Sequence, residues 1–402
     1  MTHDEALALD ARDPLAAYRA RFTLPADTLY LDGNSLGALP AHVPAALADA
    51  ASRQWGDRLI RSWNEGWFDA PARVGARIAP LIGAAPDEVI VGDSTSIHLF
   101  KLIVAALRLD PTRRTVLSEA GNFPTDLHIA EGAVACVPGA RLRVVAREDL
   151  AAALDDDTAL LLLTHVHYKT AARFDMPGWT ARAHAAGALV LWDLSHSVGA
   201  VPIDLADADL AVGSTYKYLN GGPGAPAFLC VAKRWQDRLE SPLSGWMGHA
   251  APFAFEDGYR PAPGMARWRT GTPGILSMTA LDAALDLWDG IDMAALAAKS
   301  AALFTILADA GAALGLDCVT PVDPAQRGSH ISFRHPHAYA VTQALIARGV
   351  IGDFRDPDIL RLGLTPLYLS HADVWRAGDI LREIIETRDW DRPIYAERLP
   401  VT

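Results

Sequence analysis

Asp193 and Lys217, 24 residues apart, are the two side chains in this sequence best placed to do chemistry together. Asp193 closes the apolar run 188–192, which reads as a buried strand, and His196 follows three residues later. A second apolar run, 209–213, leads into Ser214-Thr215-Tyr216-Lys217. A Gly/Pro-rich loop, 220–226, and a third apolar run, 227–232, come next. An acid at one strand end and a lysine just past the next lie where α/β sheets bind their ligands. Taken singly, each is compatible with an ordinary turn or a surface lysine. Taken together, with hydroxyls before the lysine and glycines after it, they point to pyridoxal phosphate. Lys217 would form the Schiff base and Asp193 would pair with the pyridinium nitrogen.

The elements needed to position these groups can be read on either side. A short strand at 88–91 runs into Gly92-Asp93-Ser94-Thr95-Ser96 and an amphipathic helix at 97–107. This is a phosphate-binding arrangement, because a helix N-terminus offers free N–H groups and a favourable dipole; plain capping by Ser94 to Ser96 would give the same pattern and is compatible with it. Strands at 115–118, 142–145 and 159–163 alternate with helical stretches, including 150–154 and 177–186. That order predicts a mainly parallel sheet flanked by helices. Phe123, just past a strand end, is either a core residue or a stacking partner for a cofactor ring. Near the N-terminus a helix is expected at 10–22, then a short strand entering the turn 32–37, which is a connection or a cover over the site. Helical spacing continues over 41–60 and again over 74–82. Of the aromatics Trp63, Trp67 and Phe68, the last two read as core and Trp63 as a pocket residue. From residue 275 the pattern changes to helices at 275–288, 294–313, 338–348 and 372–387 with strands at 317–320, 330–334 and 359–362. The expected division is an N-terminal segment 1–50, a large cofactor-binding domain 51–275, and a smaller C-terminal α/β domain 276–402 packed with the N-terminal segment.

Composition narrows the function classes. Half of the 402 residues are hydrophobic and the formal charge is -12, which argues against nucleic acid as a partner. Cys136, Cys230 and Cys318 are scattered and odd in number, so neither a disulfide framework nor a zinc site is expected, and a cytoplasmic setting fits. The acidic N-terminus lacks the apolar core of a signal peptide, and no apolar run long enough for a membrane span is read. His165 and His167 alternate on one face, as do His335 and His337, but no third ligand has suitable spacing; hydrogen-bonded or exposed histidines are expected rather than a metal site.

With these pieces in order, the chain resembles the kynureninases, fold-type I pyridoxal-phosphate enzymes of the aspartate-aminotransferase superfamily. The resemblance rests on LDGNSLG (31–37), GDSTSIHLFK (92–101), NFPTD (122–126), DLSHSVGAVPIDL (193–205), STYKYLNGGPG (214–224), GWMGH (245–249), RTGTPGI (269–275) and RLGLTPLY (361–368). It implies hydrolytic Cβ–Cγ cleavage of L-kynurenine to anthranilate and L-alanine in tryptophan degradation. It also implies a role for each matching residue. Lys217 would carry the cofactor and move the Cα proton, with Tyr216 in general acid–base work. Phe123 would stack on the ring, within the matching run Pro124, Thr125 and Asp126. Thr95, Ser96, Tyr216, Trp246 and Thr272 would surround the phosphate, the last two supplied by the partner of a homodimer. Thr164, Asp126 and His196 would complete the cofactor shell. Arg361 would clamp the substrate α-carboxylate, and Trp63 and Gly271 would meet the substrate's aromatic ring. Gly271-Thr272 resembles the bacterial form, which favours kynurenine over its 3-hydroxy derivative. A cysteine desulfurase or selenocysteine lyase, which would need a reactive cysteine on a loop of the small domain, is the nearest rival. An aminotransferase and a non-catalytic relative follow.

Overall fold

The computed structural model describes residues 1–205 and 207–398. Its central sheet has seven strands: β1 (Val89–Gly92), β2 (Thr115–Glu119), β3 (Arg141–Val145), β4 (Thr158–Thr164), β5 (Leu189–Asp193), β6 (Leu210–Gly213) and β7 (Ala227–Val231). They lie in the order β1-β7-β6-β5-β4-β2-β3. β6, β5, β4, β2 and β3 run parallel, and β7 is antiparallel to both of its neighbours. β1 therefore points the same way as the parallel set. Strands β2, β4, β5, β6 and β7 are buried along their whole length. Burial on both faces explains why the sequence shows near-continuous apolar runs there instead of alternation.

Successive residues of each strand feed opposite cores. Leu160, Leu162, Leu191, Leu210 and Val212 pack on one face with Leu99, Leu102 and Ile103 of helix α1 (Thr95–Leu109). Leu161, Leu163, Val190, Trp192 and Ala211 pack on the other face, in a core that extends to the C-terminal half of the chain. Helices α2 (Pro124–Ala135) and α3 (Met176–Ala185) follow β2 and precede β5.

The C-terminal half carries a second sheet, β8 (Asp317–Cys318), β9 (His330–Arg334), β10 (Asp353–Arg355) and β11 (Ile359–Gly363), in the order β8-β9-β11-β10. Every pairing in it is antiparallel. Around it lie helices α4 (Ile275–Ala284), α5 (Met293–Ala313), α6 (Ala338–Ala347) and α7 (His371–Thr387). The N-terminal stretch is tied to these elements: Leu29–Tyr30 pairs in parallel with Val350–Ile351, and Asp10 accepts the amides of His371 (2.7 Å) and Ala372 (3.0 Å) at the start of α7.

Three expectations need correction. The helix read over 10–22 is instead an α-helix at His3–Asp10 and a 3₁₀ helix at Ala16–Arg21. Pro14 lies between them, and Asp13 takes the Leu15 amide at 2.9 Å, which favours a turn over helix continuation. The helical stretch from 41 is α-helical only over Val43–Asp49 and then turns π-helical over Ala50–Arg58. Finally, α5, with 21 residues and a mean hydropathy of 1.5, is long and apolar enough by length and composition to cross a membrane, although no such run was read. Here its Leu296, Leu303, Phe304 and Leu307 are buried, and it packs on α7 and β9.

The turn 32–37 lies directly against the lysine loop. Gly37 donates its amide to the Tyr216 carbonyl at 2.8 Å. A methyl group at Gly37 would sit 2.2 Å from the Lys217 carbonyl oxygen and 2.8 Å from Asn220 Cα, both backbone atoms that cannot swing aside. Gly37→Ala is therefore expected to destabilise the fold by about 1–3 kcal/mol through overpacking, read as a lower urea midpoint at unchanged m-value; an unchanged midpoint would show that the turn is not held against the loop.

Candidate active site

Because β1 and the five parallel strands point the same way, the segments that follow them converge on one edge of the sheet. A cavity of about 280 Å³ lies there. It is lined by Ser94, Thr95 and Ser96 after β1, by Phe123, Thr125 and Asp126 after β2, and by Thr164 at the end of β4. Asp193, Ser195 and His196 line it from β5, Ser214, Tyr216 and Lys217 from β6, and Ala225 and Ala227 from the entry to β7. A larger cavity of about 790 Å³, lined by Arg147, Arg173, Phe174 and Trp179 among others, holds none of the predicted cofactor residues.

Lys217 is buried, with Nζ 3.0 Å from His196 Nε2 and about equally far from the Phe123 and Tyr216 rings, 5.9 and 5.7 Å from their centroids. Burial pushes its ammonium down to about 8, against the opposing charge of Asp193 and with help from the Arg361 charge. His196 is held well below its usual range, first by burial and then by the positive charge of Lys217. It therefore faces the lysine as a neutral imidazole, and its Nδ1 is buried without a partner among the described residues. Burial, and then the nearby Asp193 charge, raise the Tyr216 phenol, so Tyr216 keeps its proton.

The acids sit as a pair. Thr164 and Asp193 are register partners across β4 and β5. Asp193 accepts the Ser195 amide at 2.8 Å, and the Thr164 hydroxyl donates to Asp126 at 3.1 Å and lies 2.5 Å from the Asn122 side-chain oxygen. Asp126 is driven well above the carboxylate range by burial and by the charge of Asp193, to which it is hydrogen-bonded. Both causes favour the protonated form of Asp126 beside Asp193.

At the other end, Ser94 caps α1 by accepting the Ile97 amide (3.4 Å), with Thr95 and Ser96 in the first turn. The turn before it is sharp: Asp93 has φ +42° and is pinned by the buried Lys101, whose Nζ is 2.6 Å from its carboxylate and 2.7 Å from the Trp268 carbonyl. A helix N-terminus with hydroxyls at one end and a buried acid at the other, with an orphaned imidazole nitrogen beside a buried lysine between them, fits pyridoxal phosphate.

Six predicted residues lie outside this cavity. Pro124 occupies the first turn of α2, where its fixed φ suits the helix start. Trp63 packs edge-on against Trp67 with centroids 5.7 Å apart, Trp246 packs against Phe253 at 5.8 Å, and Gly271 and Thr272 line a separate cavity of about 240 Å³ with Asp93 and His98. Arg361, in β11, is buried beside the turn 32–37, bonded to Asp353, to Ser35 and to the Tyr168 carbonyl; Tyr168 in turn packs edge-on against Phe123 at 5.2 Å. The histidines first weighed as metal ligands have other neighbours: His165 packs on Trp192, and His167 Nε2 meets the Gly121 carbonyl at 2.8 Å.

Several residues escaped the sequence reading. Ser195 could have been found, since an acid whose oxygen takes the amide two residues on is a common turn. Asn122, which orients Thr164, had a weaker signal in its place before the helix. Asp353 and Arg355 had none, because their strand is three residues long.

Comparison with known proteins agrees with this geometry. A family model described as the kynureninase C-terminal domain matches residues 296–381. A kynureninase of Burkholderia mallei (strain SAVP1) is 53% identical over 414 aligned positions, covering 100% of both chains. One from Deinococcus radiodurans is 52% identical over 382, covering 92% of this chain and 93% of its own. Among solved structures, an apo cysteine desulfurase from Thermococcus onnurineus NA1 superposes with a TM-score of 0.77 at 17% identity, over 92% of this chain and 98% of that one. A C-DES mutant with glycine covalently linked to its pyridoxal-phosphate cofactor does so at 0.78 and 18%, over 90% and 98%. The structural likeness establishes the fold-type I architecture, and the full-length identity decides among its branches: the chain belongs to the kynureninase family.

Proposed function

We propose that this chain hydrolyses the Cβ–Cγ bond of L-kynurenine, releasing anthranilate and L-alanine. The observation that carries the reading is Lys217, buried at the strand edge, with its ammonium pushed down to about 8 between a neutral imidazole and an acid pair. Pyridoxal phosphate supplies an electron sink for the carbanions formed at Cα and Cβ. Lys217 and Asp193 would hold it, with Thr95 and Ser96 at its phosphate and Phe123 against its ring.

The protein's own groups account for the proton movements. Near neutral pH a useful fraction of Lys217 is the free amine, able to take a proton from the substrate Cα. His196, held neutral, accepts a hydrogen bond from the lysine without competing for its proton. Tyr216, which keeps its phenolic proton, serves as a donor near the same carbon skeleton. Water adds to the γ-carbonyl, the Cβ–Cγ bond breaks, the γ-carbon leaves as the carboxylate of anthranilate, and Cβ takes a proton to become the methyl of alanine. Arg361 would receive the α-carboxylate.

A homodimer with shared sites accounts for the residues that one chain leaves outside. Trp246 is 43% exposed, Phe253 63%, Phe255 80% and Ile60 76%, a set of large apolar side chains of the kind that subunit contacts cover. In this reading Trp246 and Thr272 reach the partner's phosphate, and Trp63 and Gly271 border the substrate ring. The desulfurase reading is disfavoured by Cys318. It lies in β8 rather than on a mobile loop, burial pushes its thiol up, and its Sγ is 3.6 Å from the Thr320 carbonyl.

Three outcomes test this. Protein loaded with pyridoxal phosphate should turn L-kynurenine into equimolar anthranilate and alanine, followed by anthranilate fluorescence, and Lys217→Ala should abolish both turnover and the visible absorbance of the lysine–cofactor imine. Retained cleavage in that variant would remove Lys217 from the reaction. The rate at which the cofactor-free protein takes up pyridoxal phosphate should rise with pH and reach half its plateau near 8, where the attacking amine is half-formed; a lysine of ordinary basicity would reach its half-point only beyond 10. Asp126→Asn and Asp193→Asn should also part company. Burial and the Asp193 charge favour the protonated form of Asp126, so its amide is a near-isostere and kcat should fall by less than about 10-fold. Removing the Asp193 charge should cost on the order of 10²-fold or more. Equal losses would refute the assignment of the proton to Asp126.

A further inference from the structure

The carboxylate clamp expected at Arg361 is already largely engaged inside the protein. A guanidinium has five N–H donors. Arg361 gives Nε to one Asp353 oxygen at 2.7 Å, one Nη2 hydrogen to the other Asp353 oxygen, a second to Ser35 Oγ at 2.8 Å, and an Nη1 hydrogen to the Tyr168 carbonyl. One N–H remains. That is poor provision for a carboxylate, which is bound best by two parallel donors.

A second guanidinium stands beside it. Arg355 uses Nη2 for Asp353 (2.6 Å) and Ser35 (3.2 Å), while its Nε is buried without a partner among the described residues. Its side chain is 38% exposed, so it sits between the protein and solvent and not behind Arg361. Ser35 belongs to the turn that Gly37 locks onto the Tyr216 and Lys217 backbone, which places Arg355 on the lysine's side of the second sheet. Its charge is felt at Lys217, Tyr216 and His196 alike. The charged groups around it are Asp353 and Arg361, with Asp32, whose buried carboxyl is pushed up to about 7 by burial and by Asp353. Two guanidinium groups against one paired carboxylate and one half-protonated acid leave an excess of positive charge.

We infer that Arg355 is a substrate-binding residue: the α-carboxylate of the amino-acid substrate is received jointly by the Nε edge of Arg355 and the remaining N–H of Arg361, with Asp353 and Ser35 holding the two guanidinium groups side by side. The inference rests on the kynurenine reading, since it takes the ligand to be an α-amino acid. It assigns Asp353 the part of a positioning residue and makes Arg355 the side chain that selects for the carboxylate.

The test compares holoenzyme and its Arg355→Met and Arg355→Lys variants with two ligands, L-kynurenine and its descarboxy analogue kynuramine. Binding is followed by the change in the cofactor's visible absorbance, and kcat/KM is measured for L-kynurenine. In Arg355→Met the preference for L-kynurenine over kynuramine should fall by about 30- to 100-fold, the loss of a charge-assisted hydrogen bond. Affinity for kynuramine should stay within about threefold, and Arg355→Lys, which keeps the charge but not the fork, should recover part of the preference. Equal weakening of both ligands would mean a structural role for Arg355, and no weakening of either would mean no contact; each overturns the inference. Because the comparison is made within one variant, a general loss of stability cancels. Failure of the unaltered enzyme to cleave L-kynurenine would instead overturn the functional reading beneath it.

Discussion

Burying the Lys217 ammonium is the constraint on which the rest of this structure depends. In an apolar interior a lysine prefers to be neutral, and lowering its basicity from 10.5 to about 8 favours the amine by roughly 3 kcal/mol. The protein reaches this state without stranding the charge. Asp193 lies close enough to support the ammonium, and His196 gives Nζ a hydrogen-bond acceptor that does not itself protonate. Sheet topology makes the arrangement possible. Lys217 and Asp193 come from neighbouring parallel strands whose ends are adjacent by construction, so a separation of 24 residues in the chain becomes a short distance in space.

The same logic runs through the second sheet. Asp353 and Arg361 are register partners on β10 and β11, and both are buried. A buried ion pair gains little unless its remaining donors are met. Here all but one of Arg361's are met, by Ser35 from the N-terminal turn and by the Tyr168 carbonyl from the large-sheet side. Gly363 lies at the end of the same strand, where a Cβ would fall 1.8 Å from the Asn34 side-chain amide, so the turn can approach only because that position is glycine. One arginine thus joins three parts of the chain that are distant in sequence.

How legible all this was depends on which forces set each element. Strands buried on both faces announce themselves as apolar runs, so β1, β4, β5, β6, β7, β9 and β11 were readable almost to their ends. The cavity's polar lining follows directly from the strand ends, and Thr95, Ser96, Phe123, Thr125, Asp126, Thr164, Asp193, His196, Tyr216 and Lys217 all come together there. What stayed hidden was held by contacts with no local signature. β10 is three residues with a charge at each end, and it is a strand only because β11 pairs with it. Val350–Ile351 is a strand only because it finds Leu29–Tyr30, the short strand expected before the turn 32–37, across more than 300 residues. The π-helical stretch after Asp49 kept helical spacing while changing its hydrogen-bond step, a difference that periodicity cannot register.

The fold itself does not choose the chemistry. Cysteine desulfurases share this architecture at a TM-score of 0.77 while keeping only 17% of the residues, so the common sheet accounts for a lysine, an acid and a phosphate cup but not for the bond that breaks. That choice falls to groups outside the shared edge. A desulfurase reaction needs a thiolate that can travel to the substrate, and Cys318 offers a thiol raised by burial and fixed in a strand. In the proposed reading, cleavage between Cβ and Cγ of an amino acid needs the substrate fixed by its α-carboxylate, and the two guanidinium groups held by Asp353 would supply that anchor. The rigidity of such an anchor is what that reaction would require: Lys217 would act on Cα only while the carboxylate attached to the same carbon is held still.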